Sequence, residues 1–173
     1  MPKVSLNEQA ALLRDAVFSA DDGIITTFAI VAGSTAAGFS SSVVLILGFA
    51  NVFADGFSMA SGIYVGVKSE REFERANGVS HWKTDSPINH ALISFTSFAF
   101  GGIWPLVPYL FLERPSFYLS IAIVAASMFL IGVAKSFYTK KNWLKSGLEV
   151  LIIGLIAATI AYLAGFVLDR IVG

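Results

Sequence analysis

Long apolar stretches alternate along this chain with short segments that carry almost all of its charges. Between residues 23 and 67 the only charged side chain is that of Asp55. A single helix of these 45 residues would extend about 67 Å, too long for one crossing of a hydrocarbon core of about 30 Å. The small, polar cluster at residues 38–42 divides the stretch, so the pattern predicts two membrane-spanning helices joined by a short turn.

Three further apolar stretches follow, so the sequence predicts an all-α membrane protein with five transmembrane helices. Pro105 and Pro108 lie near the end of the third span, where we expect a kink or an early end of the helix. Residues 1–173 are predicted to form one transmembrane domain, with connections at residues 68–89 and 135–145 on one side of the membrane. The predicted spans are residues 22–38, 42–67, 91–112, 116–134 and 146–168.

Lysine and arginine are distributed unequally between the two sides of this predicted bundle. Ten of the 12 basic residues lie in the N-terminal segment and in the connections 68–89 and 135–145. Basic residues are enriched in cytoplasmic segments of membrane proteins. The asymmetry therefore predicts a cytoplasmic N-terminus and a C-terminus that is outside the cell or in a lumen.

Composition fits this interpretation and excludes several classes of function. The chain is 55% hydrophobic and only 14% charged, with a mean hydropathy of +0.72. Its formal net charge of zero gives no indication of nucleic-acid binding. Cysteine is absent, which excludes disulfides and thiolate metal sites, and neither an HExxH nor a GxSxG motif is present. We therefore predict a membrane protein that is not an enzyme.

Small and polar residues form a stripe along each of the first two spans, at spacings of three and four that place them on one helical face. If the turn is centred on residues 40 and 41, residues whose numbers sum to about 81 lie at equal depth. This register predicts that Asp22 is level with Met59 and that Asp55 lies one turn deeper. We expect Thr26, Gly33, Asn51 and Gly62 to line a pathway. The stripes are Asp22, Thr26, Ala29, Gly33, Ala36 and Ser40 on span 1, and Asn51, Asp55, Met59, Gly62 and Gly66 on span 2.

The carboxylates of these stripes are the candidate metal ligands. An Asp in the hydrocarbon region costs at least about 2.5 kcal/mol, and a functional role is the default expectation. Asp22 could instead cap the start of a helix, Asp55 could bond to a neighbouring helix, and the small residues could serve packing alone. Carboxylate, amide and thioether groups together suit Fe²⁺ or Mn²⁺, and the carboxylates could also carry protons.

Two acidic residues after the second span extend this picture. Glu70 and Glu74 share a helical face in the segment KSEREFERA. They could form a weak rim that captures cations on the cytoplasmic side and gives metal access to the pathway. The alternative is a solvated extension of the helix with alternating charges.

Two blocks of the sequence resemble the vacuolar iron transporter family: residues 14–33 (RDAVFSADDGIITTFAIVAG) and 48–70 (GFANVFADGFSMASGIYVGVKSE). The resemblance implies a homodimer that exports Fe²⁺, and often Mn²⁺, from the cytosol in exchange for protons, along a pathway lined by the first spans of both protomers. It also implies metal coordination by Asp22 and Met59. Asn51 stands where some members carry an acidic residue, so Asp55, one turn away, would have to substitute for it.

The same resemblance implies a short form of the family. Iron-storing eukaryotic members insert a three-helix metal-binding domain between spans 2 and 3, whereas residues 68–89 provide only 22 residues. The compact chain favours a prokaryotic cytoplasmic membrane over a vacuolar membrane. We expect no permanently bound cofactor, with Fe²⁺ or Mn²⁺ as the transported substrate. A membrane scaffold or assembly subunit that transports nothing is the alternative, since small-residue stripes fit it too.

Overall fold

The computed structural model describes residues 6–78, 86–112 and 117–172, in which all regular structure is helical. Five segments of this part are long and apolar enough to cross a membrane: residues 6–36, 41–76, 87–111, 117–139 and 143–167. The predicted all-α fold with five spans is therefore confirmed. Residues 79–85 of the 68–89 connection lie outside the described residues. The helices are α1 (Leu6–Ala36), α2 (Ser41–Ala76), α3 (Pro87–Ile103), α4 (Val107–Phe111), α5 (Phe117–Thr139) and α6 (Trp143–Val172).

The first two helices are longer than the spans that hydropathy alone predicts. Helix α1 begins at Leu6, and α2 continues to Ala76. The added residues are mostly Glu, Gln, Ala, Leu, Lys and Arg, all of which favour helix, so the backbone continues as helix where the hydrophobic pattern stops. Glu70 and Glu74 therefore lie on α2 and not in an irregular loop.

The turn between α1 and α2 depends on the backbone of Gly38. Its φ of +69° is in the left-handed region that side chains disfavour. The N–H of Gly38 donates to the carbonyl of Thr35 at 3.1 Å, and the N–H of Phe39 donates to the carbonyl of Ser34 at 2.9 Å. These two bonds form a Schellman motif, which satisfies the last carbonyls of α1 and allows α2 to start at Ser41.

The two prolines interrupt the third membrane segment, as the sequence predicts. Residues Trp104–Leu106 form a 3₁₀ turn between α3 and α4, and the helix ends at Phe111. Proline lacks the N–H that would bond the preceding turn, which leaves carbonyl groups that need another donor. One such donor is the hydroxyl of Ser120 on α5, which lies 3.4 Å from the carbonyl oxygen of Pro105.

Helix α1 is the central helix and packs against α2, α3, α5 and α6. Its closest approach is to α3. A Cβ atom built on Gly23 would overlap the carbonyl of Phe98, and one on Gly101 would overlap the carbonyl of Ala20. The two backbones are therefore in direct contact, which only glycine permits. Apolar cores flank this contact, with Ile24, Phe28, Val124 and Met128 in one and Val31, Val44, Val52 and Leu106 in the other.

We expect Gly23→Ala to destabilise the protein by about 1–3 kcal/mol, because the added methyl group has no space between the two backbones. Gly33→Ala is the matched control on the same helix, since a Cβ there meets no atom within 4 Å. Thermal unfolding of the two purified variants in one detergent would measure the difference. Equal midpoints for both variants would contradict the tight α1–α3 contact.

Candidate metal centre

The register of α1 against α2 is set by the side chain of Asn51. Its Nδ2 atom lies 3.4 Å from the Oγ1 atoms of both Thr26 and Thr27. These paired numbers sum to 77 or 78 and not to the predicted 81, because α1 already ends at Ala36 and the turn is centred earlier. Asp22 is therefore level with Asp55, and Met59 lies one turn closer to the end of α2. The predicted pairing of Asp22 with Met59 at one depth is corrected.

Asp22 and Asp55 form the centre of the candidate site. Their negative charges are close enough to repel each other across the α1–α2 interface. Asp22 is half-buried, whereas Asp55 is exposed on the surface of the single protomer. The two carboxylates lie at one level, and no basic residue occurs between them in the sequence. Such a pair is a favourable site for a cation.

The capping explanation for Asp22 does not hold in the structure. Helix α1 begins at Leu6, so Asp22 lies in the middle of a continuous helix, where the backbone N–H groups already have partners. The neighbouring Thr26 hydroxyl donates to the backbone carbonyl of Asp22 at 2.9 Å. The carboxylate of Asp22 therefore does not cap the start of a helix and is available for another role.

Met59 follows Asp55 by one helical turn on the same face of α2. It is half-buried, which places its thioether at the edge of the α1–α2 interface. The structure therefore gives Asp22, Asp55 and Met59 a common face, with the two carboxylates level and the thioether beside them.

Two of the residues predicted to line a pathway, Gly33 and Asn51, border an open groove between α1 and α2. The groove has a volume of about 540 Å³. Thr26 lies at its deeper end, in contact with Asn51. The lining residues are Ile30, Gly33, Ser34, Phe39, Leu47, Ala50, Asn51 and Ala54.

The remaining small residues of the α2 stripe are uncovered. A Cβ built on Gly62 or on Gly66 would meet no atom within 4 Å, and both residues are exposed. Gly62 and Gly66 therefore do not serve helix packing inside the protomer. Phe53 and Phe57 on the same stretch of α2 are 63% and 70% exposed, so the helix presents an extended open surface.

Glu70 and Glu74 lie beyond this surface on the extension of α2. Glu70 is exposed and Glu74 is half-buried. Glu70 is eleven residues, or about 16 Å along the helix, past Met59. Between Glu70 and Glu74, Oε1 of Glu72 lies 4.0 Å from Nζ of Lys68. The role of Glu70 and Glu74 as a metal-access rim stays a prediction.

Within residues 6–78, 86–112 and 117–172, no group of three or more His, Asp and Glu side chains is close enough to hold a metal ion. A divalent transition ion in an oxygen-rich site takes more ligands than two carboxylates. The face of Asp22, Asp55 and Met59 in one protomer would therefore not complete the coordination of such an ion by itself.

Sequence reasoning missed the interaction of Asp21 with α5. This half-buried carboxylate is repelled by the charge of Asp22 and attracted, less strongly, by the charge of Lys135 on α5. The Nζ atom of Lys135 also lies 3.3 Å from Oε2 of Glu149 on α6. The sequence signal was that Lys135 and Glu149 lie 14 residues apart on either side of a short connection, which brings them together in a helical hairpin.

The sequence profile of the VIT family matches residues 13–80 and 76–166 of this chain. The two matched segments overlap at residues 76–80, where α2 ends and the connection to α3 begins. Together they include most of each of the five membrane segments. The overlap lies at the start of the connection that the sequence predicts to be short.

Several named proteins are similar to the chain over most of its length. It is 26% identical to a vacuolar iron transporter of Toxoplasma gondii, over 96% of this chain and 78% of that protein. It is 32% identical to vacuolar iron transporter homolog 1 of Arabidopsis thaliana, over 90% of this chain and 82% of that protein. With vacuolar iron transporter 1 of Eucalyptus grandis it shares 26% identity, over 87% of this chain and 84% of that protein.

The length of one alignment shows that the chain is shorter than such a relative within the matched region. The match with the Toxoplasma gondii protein extends over 234 positions, although this chain has only 173 residues. The relative therefore carries additional residues inside the matched region, and this chain is the shorter form.

We expect the pair Asp22→Cys with Asp55→Cys to cross-link faster than the pair Asp22→Cys with Met59→Cys, because positions 22 and 55 are level. The chain has no native cysteine, so each double variant holds only the two introduced thiols. A short bifunctional thiol reagent and gel mobility would measure the rate, with cross-links inside one chain separated from those between chains by mass. Faster cross-linking of the pair at positions 22 and 59 would contradict the observed register and support the one predicted from the sequence.

Proposed function

We propose a function for this chain from the premise that it belongs to the VIT family. It is an integral, multi-pass membrane protein for the transport of metal ions, and we propose that it exports divalent iron, and also manganese, from the cytosol. Such export would serve intracellular metal homeostasis. The single observation that carries the assignment is the level pair of carboxylates, Asp22 and Asp55, with Met59 on the same membrane-embedded face.

The chemistry of this face suits a divalent transition ion. Carboxylate oxygens bind Fe²⁺ and Mn²⁺ well, and the thioether of Met59 adds a softer ligand that Mg²⁺ and Ca²⁺ do not favour. The amide of Asn51, about one turn from Asp55, offers a further oxygen. The proposed metal ligands are therefore Asp22, Asp55 and Met59, with Thr26, Gly33, Asn51 and Gly62 along the path.

A homodimer supplies what the single protomer lacks. Asp55, Gly62 and Gly66 are exposed in one chain, although a bare carboxylate against lipid is unfavourable by several kcal/mol. A second copy that packs its own α1–α2 face against this one would cover the small residues and bring four carboxylates around one axis. We therefore propose that the path runs between two protomers.

Exchange against protons follows from the same carboxylates. Asp22 and Asp55 repel each other when both are charged, so the pair favours either a divalent cation or protons. A site that alternates between the two cargoes moves metal in one direction and protons in the other. We propose this exchange, with the metal leaving the cytosol and protons entering it.

The proposed location is a prokaryotic cytoplasmic membrane. Helix α2 ends at Ala76 and α3 begins at Pro87, and the alignment with the Toxoplasma gondii relative leaves many positions without a residue of this chain. Membrane fractionation with an antibody against the protein tests this location.

We expect Asp22→Asn and Met59→Leu to reduce Fe²⁺ transport by roughly tenfold or more, because each change removes a metal ligand while it preserves side-chain size. Uptake of Fe²⁺ into vesicles that contain the purified protein measures the rate. Thr96→Ala is the matched control, since Thr96 is exposed on α3 and bonds only to carbonyls of its own helix. Undiminished transport in both ligand variants would exclude Asp22 and Met59 from the path.

We expect an acidic vesicle interior to accelerate uptake of Fe²⁺ and Mn²⁺, because protons that leave the vesicle drive metal inwards. Each pH unit of gradient adds about 1.4 kcal/mol of driving force per proton exchanged. The measurement compares uptake before and after an ionophore collapses the gradient, with Mg²⁺ as the control ion. Equal uptake with and without the gradient would contradict proton exchange, and equal uptake of Mg²⁺ would contradict selectivity for transition ions.

A further inference from the structure

A second ionisable pair lies in the interface of α1 and α3, away from the candidate metal centre. The Nδ1 atom of His90 is 2.5 Å from Oδ2 of Asp15, and the two side chains are only 1% and 6% exposed. The other carboxylate oxygen of Asp15 accepts hydrogen bonds from Arg14 at 2.9 and 3.0 Å. Buried ionisable groups are costly unless they are paired, and they cluster at functional sites, so a functional role is a hypothesis for this pair.

Three buried polar atoms near this pair have no hydrogen-bond partner in the described part of the chain: Nε2 of His90 and the hydroxyls of Ser19 and Ser94. Helices α1 and α3 run in parallel with a constant offset, since Asp15 meets His90 and Gly23 meets Phe98. Ser19 and Ser94 are therefore level with each other, one turn further along. Buried polar groups are normally paired, so this polar seam of Asp15, Ser19, His90 and Ser94 needs a ligand or water.

The carboxylate determines which nitrogen of His90 is free. An ionised carboxylate can only accept a hydrogen bond, so Nδ1 carries the proton that points at Asp15. In the neutral imidazole, Nε2 is then the unprotonated atom, and it is the one without a partner. The geometry thus presents a single buried basic atom, with a counter-charge already in place behind the ring.

We propose that His90 and Asp15 form a proton-binding site of the transporter, separate from the metal ligands. A proton from the seam binds Nε2 and converts the imidazole to an imidazolium, whose charge Asp15 balances. Release of that proton towards the N-terminal end of α1 returns the ring to its neutral form, so no other reactant is consumed. This inference rests on the proposed exchange of metal for protons.

The position of the pair gives a reason for coupling. Asp15 lies seven residues before Asp22 on α1, about 10 Å along the axis and on nearly the same face. Neutral His90 leaves Arg14 and Asp15 balanced, whereas protonated His90 adds one positive charge inside the bundle. That charge repels a divalent cation at Asp22, because Coulomb interactions are only weakly screened in the membrane interior. Proton binding and metal binding therefore oppose each other.

Within the described residues, the other titratable groups near His90 on the helices around it have partners or carry no charge. On α1 these are Arg14, which binds Asp15, and the buried Glu8, which has interactions of its own. Gly56 of α2 lies beside Phe95 and Phe98 of α3, so the stretch of α2 beside His90 is uncharged and has Tyr64 as its titratable group. On α5 the nearest charge is Lys135, which pairs with Glu149.

The decisive experiment separates proton coupling from metal binding. We expect His90→Gln and Asp15→Asn to reduce by about tenfold the acceleration that a pH gradient gives to Fe²⁺ uptake, while equilibrium binding of Mn²⁺, measured at a pH that leaves His90 neutral, changes by less than about twofold. Thr96→Ala, on the same helix as His90, is the control that keeps full acceleration. A merely structural pair would lower binding and uptake together, and that result would overturn the assignment.

A second measurement applies even if a variant does not fold. The chain contains two histidines, His81 and His90, so His81→Gln leaves one imidazole. Nitrogen NMR of this protein in lipid nanodiscs, labelled at histidine, reports the protonation of Nε2. We expect the Nε2 signal to change from that of an unprotonated to that of a protonated nitrogen when the sample is acidified, and a single state at every pH at which the protein stays folded would overturn the proposal.

The outcomes also distinguish this site from the proposed function. Wild-type protein that moves no Fe²⁺ would overturn the transport function and this site with it. Wild-type protein that exchanges Fe²⁺ for protons, with His90→Gln equally responsive to the gradient, would overturn the site alone.

Discussion

The direct contact between the backbones of α1 and α3 at Gly23 and Gly101 determines the orientation of the central helix. Successive residues of a helix point about 100° apart, so once Gly23 faces α3, its neighbours have no freedom in direction. Asp22 then lies close enough to Asp55 on α2 for their charges to interact, whereas Asp21 also feels the charge of Lys135 on α5. A rotation of α1 by one residue would exchange the two adjacent aspartates and remove the level carboxylate pair.

Each of these carboxylates carries a free-energy cost in the membrane protein, and the structure shows three different environments for them. Asp15 is buried and fully engaged by Arg14 and His90. Asp21 is half-buried near the Lys135–Glu149 pair that joins α5 to α6. Within the described residues, neither Asp22 nor Asp55 forms a salt bridge, and Asp55 lies on an exposed part of α2. These uncompensated charges thus lie beside an accessible surface, as expected where a cation must enter and leave.

The number of spans, the turn at Gly38 and the interruption at Pro105 could be predicted from sequence, because hydrophobic length, a left-handed glycine and a missing N–H are local properties. The depth of Met59 could not, since a shift of two residues in the centre of the turn moves every pairing along α2 by about one helical turn. The partner of Gly23 was equally inaccessible, because a glycine carries no information about what packs against it. His90 and Asp15 are 75 residues apart, so only the tertiary structure joins them.

Helix α2 has a mechanical consequence. Its 36 residues extend about 54 Å without a proline, so roughly 24 Å projects beyond a hydrocarbon core of about 30 Å. A rigid rod of this length acts as a lever: a tilt of about 10° at one end displaces the other by about 9 Å. Small rearrangements around Asp55 would therefore be amplified at Ala76, beside residues 76–80, where the two family matches overlap. In longer relatives, any residues added at that connection would be displaced with the end of the helix and would respond to the conformation of the membrane core.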